Sequence, residues 1–204
     1  MNVIVSKLTK WHISSIRGNY VRTQTTIFPD GKEREIMIFS GEKALYLGQC
    51  TILRKIIIHE GILDNNLLFY YVLSHEFAHS KQWWEVFIIP LILLLPISLC
   101  LLMLSLFNLF LATIELNLYN LLVSIAGILV SGLLFAVPCG FSWIMELNAD
   151  FAAIKKVGLQ TFIDIKNAPK LLKRNFYSNI IIFMTHPPTK FTIKLWRLLH
   201  KHED

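Results

Sequence analysis

Between residues 82 and 154 the chain has neither Lys nor Arg, and within that interval the runs 86–112 and 118–144 carry no charge at all. Each run has 27 residues, more than the roughly 20 a helix needs to cross a hydrocarbon core. Only five residues separate them, Thr113, Ile114, Glu115, Leu116 and Asn117, so the two predicted spans form a helical hairpin, about 86–112 and 118–141. Pro90 and Pro96 are candidate kinks in the first run. Gly127, Gly132, Pro138 and Gly140 lie in the second. Trp83, Trp84 and Trp143 flank the runs, where indoles suit a membrane interface. Two buried helices of a soluble protein would also satisfy the pattern, but two adjacent runs of this length without one Lys or Arg disfavour that alternative.

Composition points the same way. Hydrophobic residues make up 54% of the 204 and mean hydropathy is +0.51, high for a soluble domain. The net charge of +6 does not indicate nucleic acid, because the basic residues form no stripe with interleaved aromatics. Ten Lys or Arg precede the hairpin and ten follow it, while the connection between the runs has only Glu115. The positive-inside rule therefore predicts an integral membrane protein with two spans and both termini in the cytoplasm. Cys50, Cys100 and Cys139 show no CxxC spacing, which predicts neither a disulfide framework nor a cysteine metal site. No cleaved secretion signal is predicted at the N-terminus.

Residues 1–63 read as a β-rich layer with little sign of helix. Thr25, Thr26, Ile27 and Phe28, a turn at Pro29, Asp30 and Gly31, and then Glu35 to Phe39 predict a hairpin, with further strands at 44–48 and 55–59. One of these strands is a candidate edge for holding an extended peptide. Asp64, Asn65 and Asn66 then offer N-caps to a breaker-free apolar stretch, predicting a helix over 64–85.

That helix carries His75-Glu76-Phe77-Ala78-His79. Histidines at i and i+4 share one helical face and can reach one metal ion, with Glu76 to the side as a base for water; HExxH is the zinc-metallopeptidase signature. A third ligand is available beyond the second run. Glu146 and Asp150 share a face at i and i+4, and the hairpin would return Glu146 to the membrane surface that holds His79. Taken alone, the two carboxylates would be a solvated helix end. Gly158 is predicted to end their helix; a basic amphipathic segment then includes Phe162, Ile163, Ile165 and Lys166, and can be read as lipid-facing or as an ordinary solvated face. His59-Glu60 lacks a second His at residue 63 and reads as a strand end, and His12, His200 and His202 read as solvent-facing.

Three motifs together, HEFAH at 75–79, ELNAD at 146–150 and THPPT at 185–189, resemble the membrane zinc metallopeptidases typified by HtpX and the type I CaaX prenyl endopeptidase. The resemblance covers about residues 44–199. It implies one zinc ion held by His75, His79 and Glu146, Glu76 as general base, Asp150 supporting a ligand histidine, and His186 stabilising an oxyanion. There are two departures. The family usually has Arg six residues beyond the His-Pro histidine, where this chain has Thr192, leaving Lys190 or Lys194 as possible substitutes, and the N-terminal spans usual in HtpX are missing from the sequence.

The sequence therefore predicts an α+β, membrane-anchored, gluzincin-like zinc protease domain. Its parts are a β-rich region (1–63), a metal-binding helix (64–85), a transmembrane hairpin (86–144) and a third-ligand helix with a C-terminal helical part (145–204). The resemblance implies hydrolysis of membrane-associated or misfolded polypeptides at the cytoplasmic face, the bilayer and a polypeptide substrate being the partners. The alternative is a catalytically inactive membrane zinc protein with a binding or signalling role.

Overall fold

The computed structural model describes residues 3–15, 18–41, 46–51, 53–82, 88–168, 182 and 184–201. It is an α+β chain with six helices and one four-stranded sheet among those residues. The elements are α1 (Val3–Ser15), β1 (Asn19–Ile27), β2 (Glu33–Ser40), β3 (Gly48–Cys50), β4 (Ile56–His59), α2 (Asn66–Lys81), α3 (Ile88–Glu115), α4 (Leu118–Val157), α5 (Leu159–Asn167) and α6 (Thr189–Leu199). The chain divides into two compact units, one of Met1–Trp83 with Met145–Asp204 and one of Trp84–Ile144.

In the first unit the sheet runs β1-β2-β4-β3. β1 and β2 form the antiparallel hairpin expected around Gly31, whose φ of +79° suits glycine in the turn. β2 and β4 are parallel, and β3 closes the sheet as an antiparallel edge strand. Ile36, Met37, Ile38 and Phe39 are all buried, as are Ile56, Ile57 and Ile58, so the two central strands are covered on both faces. Ile36, Ile38, Ile56 and Ile58 pack with Val72, Leu73 and Phe77 of α2, whereas Met37, Phe39 and Ile57 pack with Ile13 of α1.

Helix α1 corrects the expectation of a purely β-rich start. A sheet apolar on both sides needs a second cover, and Ile13 and Thr9 supply it despite the modest helical signal of their segment. β1 begins at Asn19, earlier than expected, and β3 lies at Gly48–Cys50 rather than 44–48, of which 44 and 45 lie outside the described residues. α2 also stops sooner than expected. It ends at Lys81, with Gln82 leaving helical geometry (ψ 88°), and Trp83, Trp84 and Glu85 lie outside the described residues. Among the N-cap candidates Asn65 acts, its Oδ1 accepting from Leu68 N–H at 3.0 Å. His12 is not simply solvent-facing, since its Nε2 lies 3.0 Å from Gln49 Oε1, and His200 stacks on Trp196 at 3.8 Å; His202 is outside the described residues.

The second unit contains two helices long and apolar enough to cross a membrane. Only 11% of the most apolar window of α3 and 17% of that of α4 are buried, so these helices do not serve as the core of this chain. Their distribution is the reverse of a soluble helix pair. Leu104, Phe107, Leu129 and Leu133 face outward, while Ser98, Ser105, Ser124 and Ser131 are buried. Ser98 Oγ donates to Ser131 O at 2.7 Å and Asn108 Nδ2 to Ser124 Oγ at 2.8 Å; a Cβ on Gly127 would come within 2.1 Å of Ser105 Oγ. Small and hydroxylated residues between helices with apolar residues outside are what a hydrocarbon solvent selects. The break is narrower than the expected 113–117, since α3 continues to Glu115 and Leu116 turns the chain with φ +52°. At about 60 Å, α4 is twice as long as a hydrocarbon core is thick, and from Met145 onward it belongs to the first unit. Gly158, φ +85°, ends it as expected.

One glycine links fold and site. A Cβ on Gly48 would lie 2.3 Å from Val72 Cγ1 and 3.2 Å from Glu76 Cγ, so only glycine lets β3 approach α2 this closely. Gly48→Ala is expected to lower stability by about 1–3 kcal/mol, the usual penalty for overpacking, as measured by denaturant or thermal unfolding in detergent. Wild-type stability would show that β3 is not held against α2.

Candidate metal centre

The site is assembled from α2, the part of α4 that follows Ile144 and the turn before α6, with β3 alongside. His75, Glu76 and His79 are buried on α2. Glu146 and Asp150 come from the part of α4 that belongs to the first unit, and His186 from the turn before α6. One ligand atom from each of His75, His79 and Glu146 can be chosen so that all lie within 4.8 Å of one another, a group that can hold a metal ion. His75 Nε2 is 3.2 Å from His79 Nε2 and 3.2 Å from Glu146 Oε2, and His79 Nε2 is 3.5 Å from Glu146 Oε1.

The outer partners decide what these atoms carry. His75 Nδ1 lies 3.1 Å from Asp150 Oδ1, close enough for an ion pair although its N–H is not aligned as a hydrogen bond. His79 Nδ1 lies 3.2 Å from Gln82 Oε1. A carboxylate and an amide oxygen only accept, so both Nδ1 atoms are the protonated ones and, in neutral rings, both Nε2 atoms are bare lone pairs. Two lone pairs then face each other and a carboxylate at 3.2–3.5 Å, which is unfavourable without a cation or a proton among them. The buried Glu146 Oε2 has no hydrogen bond among the described residues, as suits an atom reserved for a metal. The donor set fits: two imidazoles and a carboxylate suit zinc.

The charges are set by the same neighbours. Burial alone would lower His75, but Asp150 and Glu146 outweigh it and raise it to about 9, so His75 holds a proton when no metal competes. Burial pushes Glu76 above the usual carboxylate range, against the opposing pull of His75 and His79. The Cys50 backbone N–H donates to Glu76 Oε2 at 2.7 Å, fixing this carboxylate between the edge strand and the metal ligands. Burial pushes His186 below its ordinary value, so its ring is neutral at neutral pH. Its Nδ1 lies 2.8 Å from Thr185 Oγ1 and its Nε2 3.1 Å from Glu146 Oε2.

Every residue expected at the site is thus in the cluster or on its border. Tyr71, Lys166 and Gln82 were not foreseen. Tyr71 O–H donates to Asp150 Oδ1 at 2.9 Å, and Lys166 Nζ approaches the same oxygen at 3.5 Å. Lys190 and Lys194, the substitutes considered for the missing Arg, are exposed; among the described residues the cation beside Asp150 is Lys166. Thr192, at the position where the resemblance expects Arg, is fully buried, and its Oγ1 has no hydrogen bond among the described residues. Two clefts of about 350 and 270 Å³ include no residue of the cluster.

Comparison of the chain with family models, curated proteins and solved structures gives no match in any of the three.

Metal binding at His75 Nε2 must expel the proton that the ring holds below about pH 9. Zinc affinity measured by chelator competition is accordingly expected to fall by up to about tenfold per pH unit from pH 9 to pH 7. The same raised value stabilises the metal-free fold fully below pH 6.5 and loses that contribution as pH rises through about 9. An affinity flat across this range would contradict the assigned protonation.

Proposed function

We propose that the chain is a zinc-dependent, membrane-bound endopeptidase of the HtpX-like kind, acting on membrane-associated or misfolded polypeptides at the cytoplasmic face. The observation that carries this reading is the placement of Glu76. Its carboxylate is next in sequence to a metal-ligand histidine and is hydrogen-bonded to the edge strand, at the border between the cation position and a place where a peptide could lie. The two apolar helices and the 20 basic residues flanking them support the membrane setting and the orientation.

His75, His79 and Glu146 would hold one zinc ion, which when bound supplies Lewis-acid polarisation of a scissile carbonyl and acidifies a water molecule. An extended peptide added to the edge of β3 would meet the backbone of Gly48 to Cys50, with its carbonyl presented toward Glu76. Glu76 accepts the proton of the attacking water as the carbon–oxygen bond forms, then delivers it to the departing amine as the carbon–nitrogen bond breaks. Burial raises its affinity for protons, the direction that favours accepting one from water. Asp150 keeps the His75 Nδ1 proton in place so that Nε2 faces the cation. His186 Nε2 lies 3.1 Å from Glu146 Oε2 without a hydrogen bond to it, and donation to an oxyanion requires it to turn from that carboxylate once a cation has neutralised Glu146.

A second reading keeps the site closed and structural; it needs His186, 3.1 Å from Glu146 Oε2 but outside the group formed by His75, His79 and Glu146, to move in as a fourth ligand. Glu76 separates the two. For an enzyme, Glu76→Gln is expected to keep the metal and to lower cleavage of an unfolded membrane-protein substrate by about 100-fold or more, the size of effect a general base contributes, read by gel assay in detergent or proteoliposomes. Cleavage by Glu76→Gln at the wild-type rate, or a wild type that binds zinc and cleaves nothing, would favour the closed site.

A further inference from the structure

Gln82 is the residue at which α2 leaves helical geometry, and its side chain is buried, 9% exposed. Nε2 of its amide donates to the Met145 carbonyl at 3.1 Å, and Oε1 lies 3.2 Å from His79 Nδ1. These two contacts determine each other. A carbonyl accepts only, so the amide nitrogen must face Met145, which leaves the amide oxygen facing His79. An oxygen there accepts the Nδ1 proton, and the neutral ring then presents a bare Nε2 to Glu146 and His75. The same amide ties the end of α2 to the residue immediately before Glu146. His75 receives its orientation from a carboxylate, Asp150; His79 receives it from this neutral amide.

We infer that Gln82 is a positioning residue of the metal centre. It fixes the tautomer and ring direction of His79, and is itself locked in the required orientation by the Met145 carbonyl. The inference rests on the reading of His75, His79 and Glu146 as zinc ligands. Residues that accept a proton from the far nitrogen of a metal-bound histidine typically contribute ten- to a hundredfold to metal affinity.

The test uses the purified full-length chain in detergent, with zinc affinity measured by chelator competition for wild type, Gln82→Met and Gln82→Glu. Methionine fills the space and accepts nothing useful from Nδ1–H, whereas glutamate keeps an accepting oxygen there. Gln82→Met is expected to bind zinc about 10- to 100-fold more weakly, and Gln82→Glu to lose less than Gln82→Met, because it keeps an acceptor for His79 Nδ1–H although its second oxygen meets the Met145 carbonyl. Wild-type affinity in Gln82→Met, or equal losses in both variants, would overturn the inference, the second by showing a packing role alone. Absence of zinc binding by the wild type would instead overturn the ligand assignment on which it rests.

Discussion

Everything at the site follows from a contact that is unfavourable while both rings are neutral: two histidine Nε2 atoms 3.2 Å apart, with a carboxylate at a similar distance from both. Asp150 and Gln82 occupy the opposite nitrogens, so the rings cannot relieve the contact by changing tautomer. A proton can bridge it, and the raised value of His75 is the sign of that. A divalent cation satisfies all three ligands at once. The polar groups around the cluster, buried Tyr71 and half-buried Lys166 on Asp150 and half-buried His186 on Glu146, hold the ligands in this arrangement.

The fold is arranged to make that contact stiff. α2 is buried on nearly every side, between the sheet and the packed residues Ala153, Ile154 and Phe162. Gly48 brings the edge strand onto α2 at Val72 and Glu76, and Asn65 caps the helix at its start. A single helix carries both the second apolar run and Glu146, so one of the proposed metal ligands is borne by the element proposed to cross the bilayer. In the hairpin the polar atoms lie between the helices and the apolar side chains outside, a distribution that suits an apolar solvent.

Much of this was legible from spacing. HEFAH on a capped helix, a carboxylate pair after the second apolar run and a late histidine are local patterns, and the structure brings Glu146 and His186 to the histidines. The supports were illegible because their partners are distant in sequence: Tyr71 meets Asp150 across 79 positions and Gln82 meets Met145 across 63. Helix α1 left a trace that strand pairing alone did not use. Ile36 to Phe39 and Ile56 to Ile58 do not alternate with polar residues, and such runs require cover on both faces of a sheet. The early end of α2 is of another kind, because no breaker precedes Gln82 and the side chain's bonds to His79 and Met145 accompany the departure from helix.

Whether His75, His79 and Glu146 together hold one metal ion is read from the metal content of purified protein, by elemental analysis after zinc loading and desalting, for wild type and for the three single alanine variants. About one zinc per wild-type chain is expected, with loss of most of it in each of His75→Ala, His79→Ala and Glu146→Ala. Full zinc retention by the folded Glu146→Ala protein would contradict that ligand set, since the carboxylate from α4 would then have no place in the site.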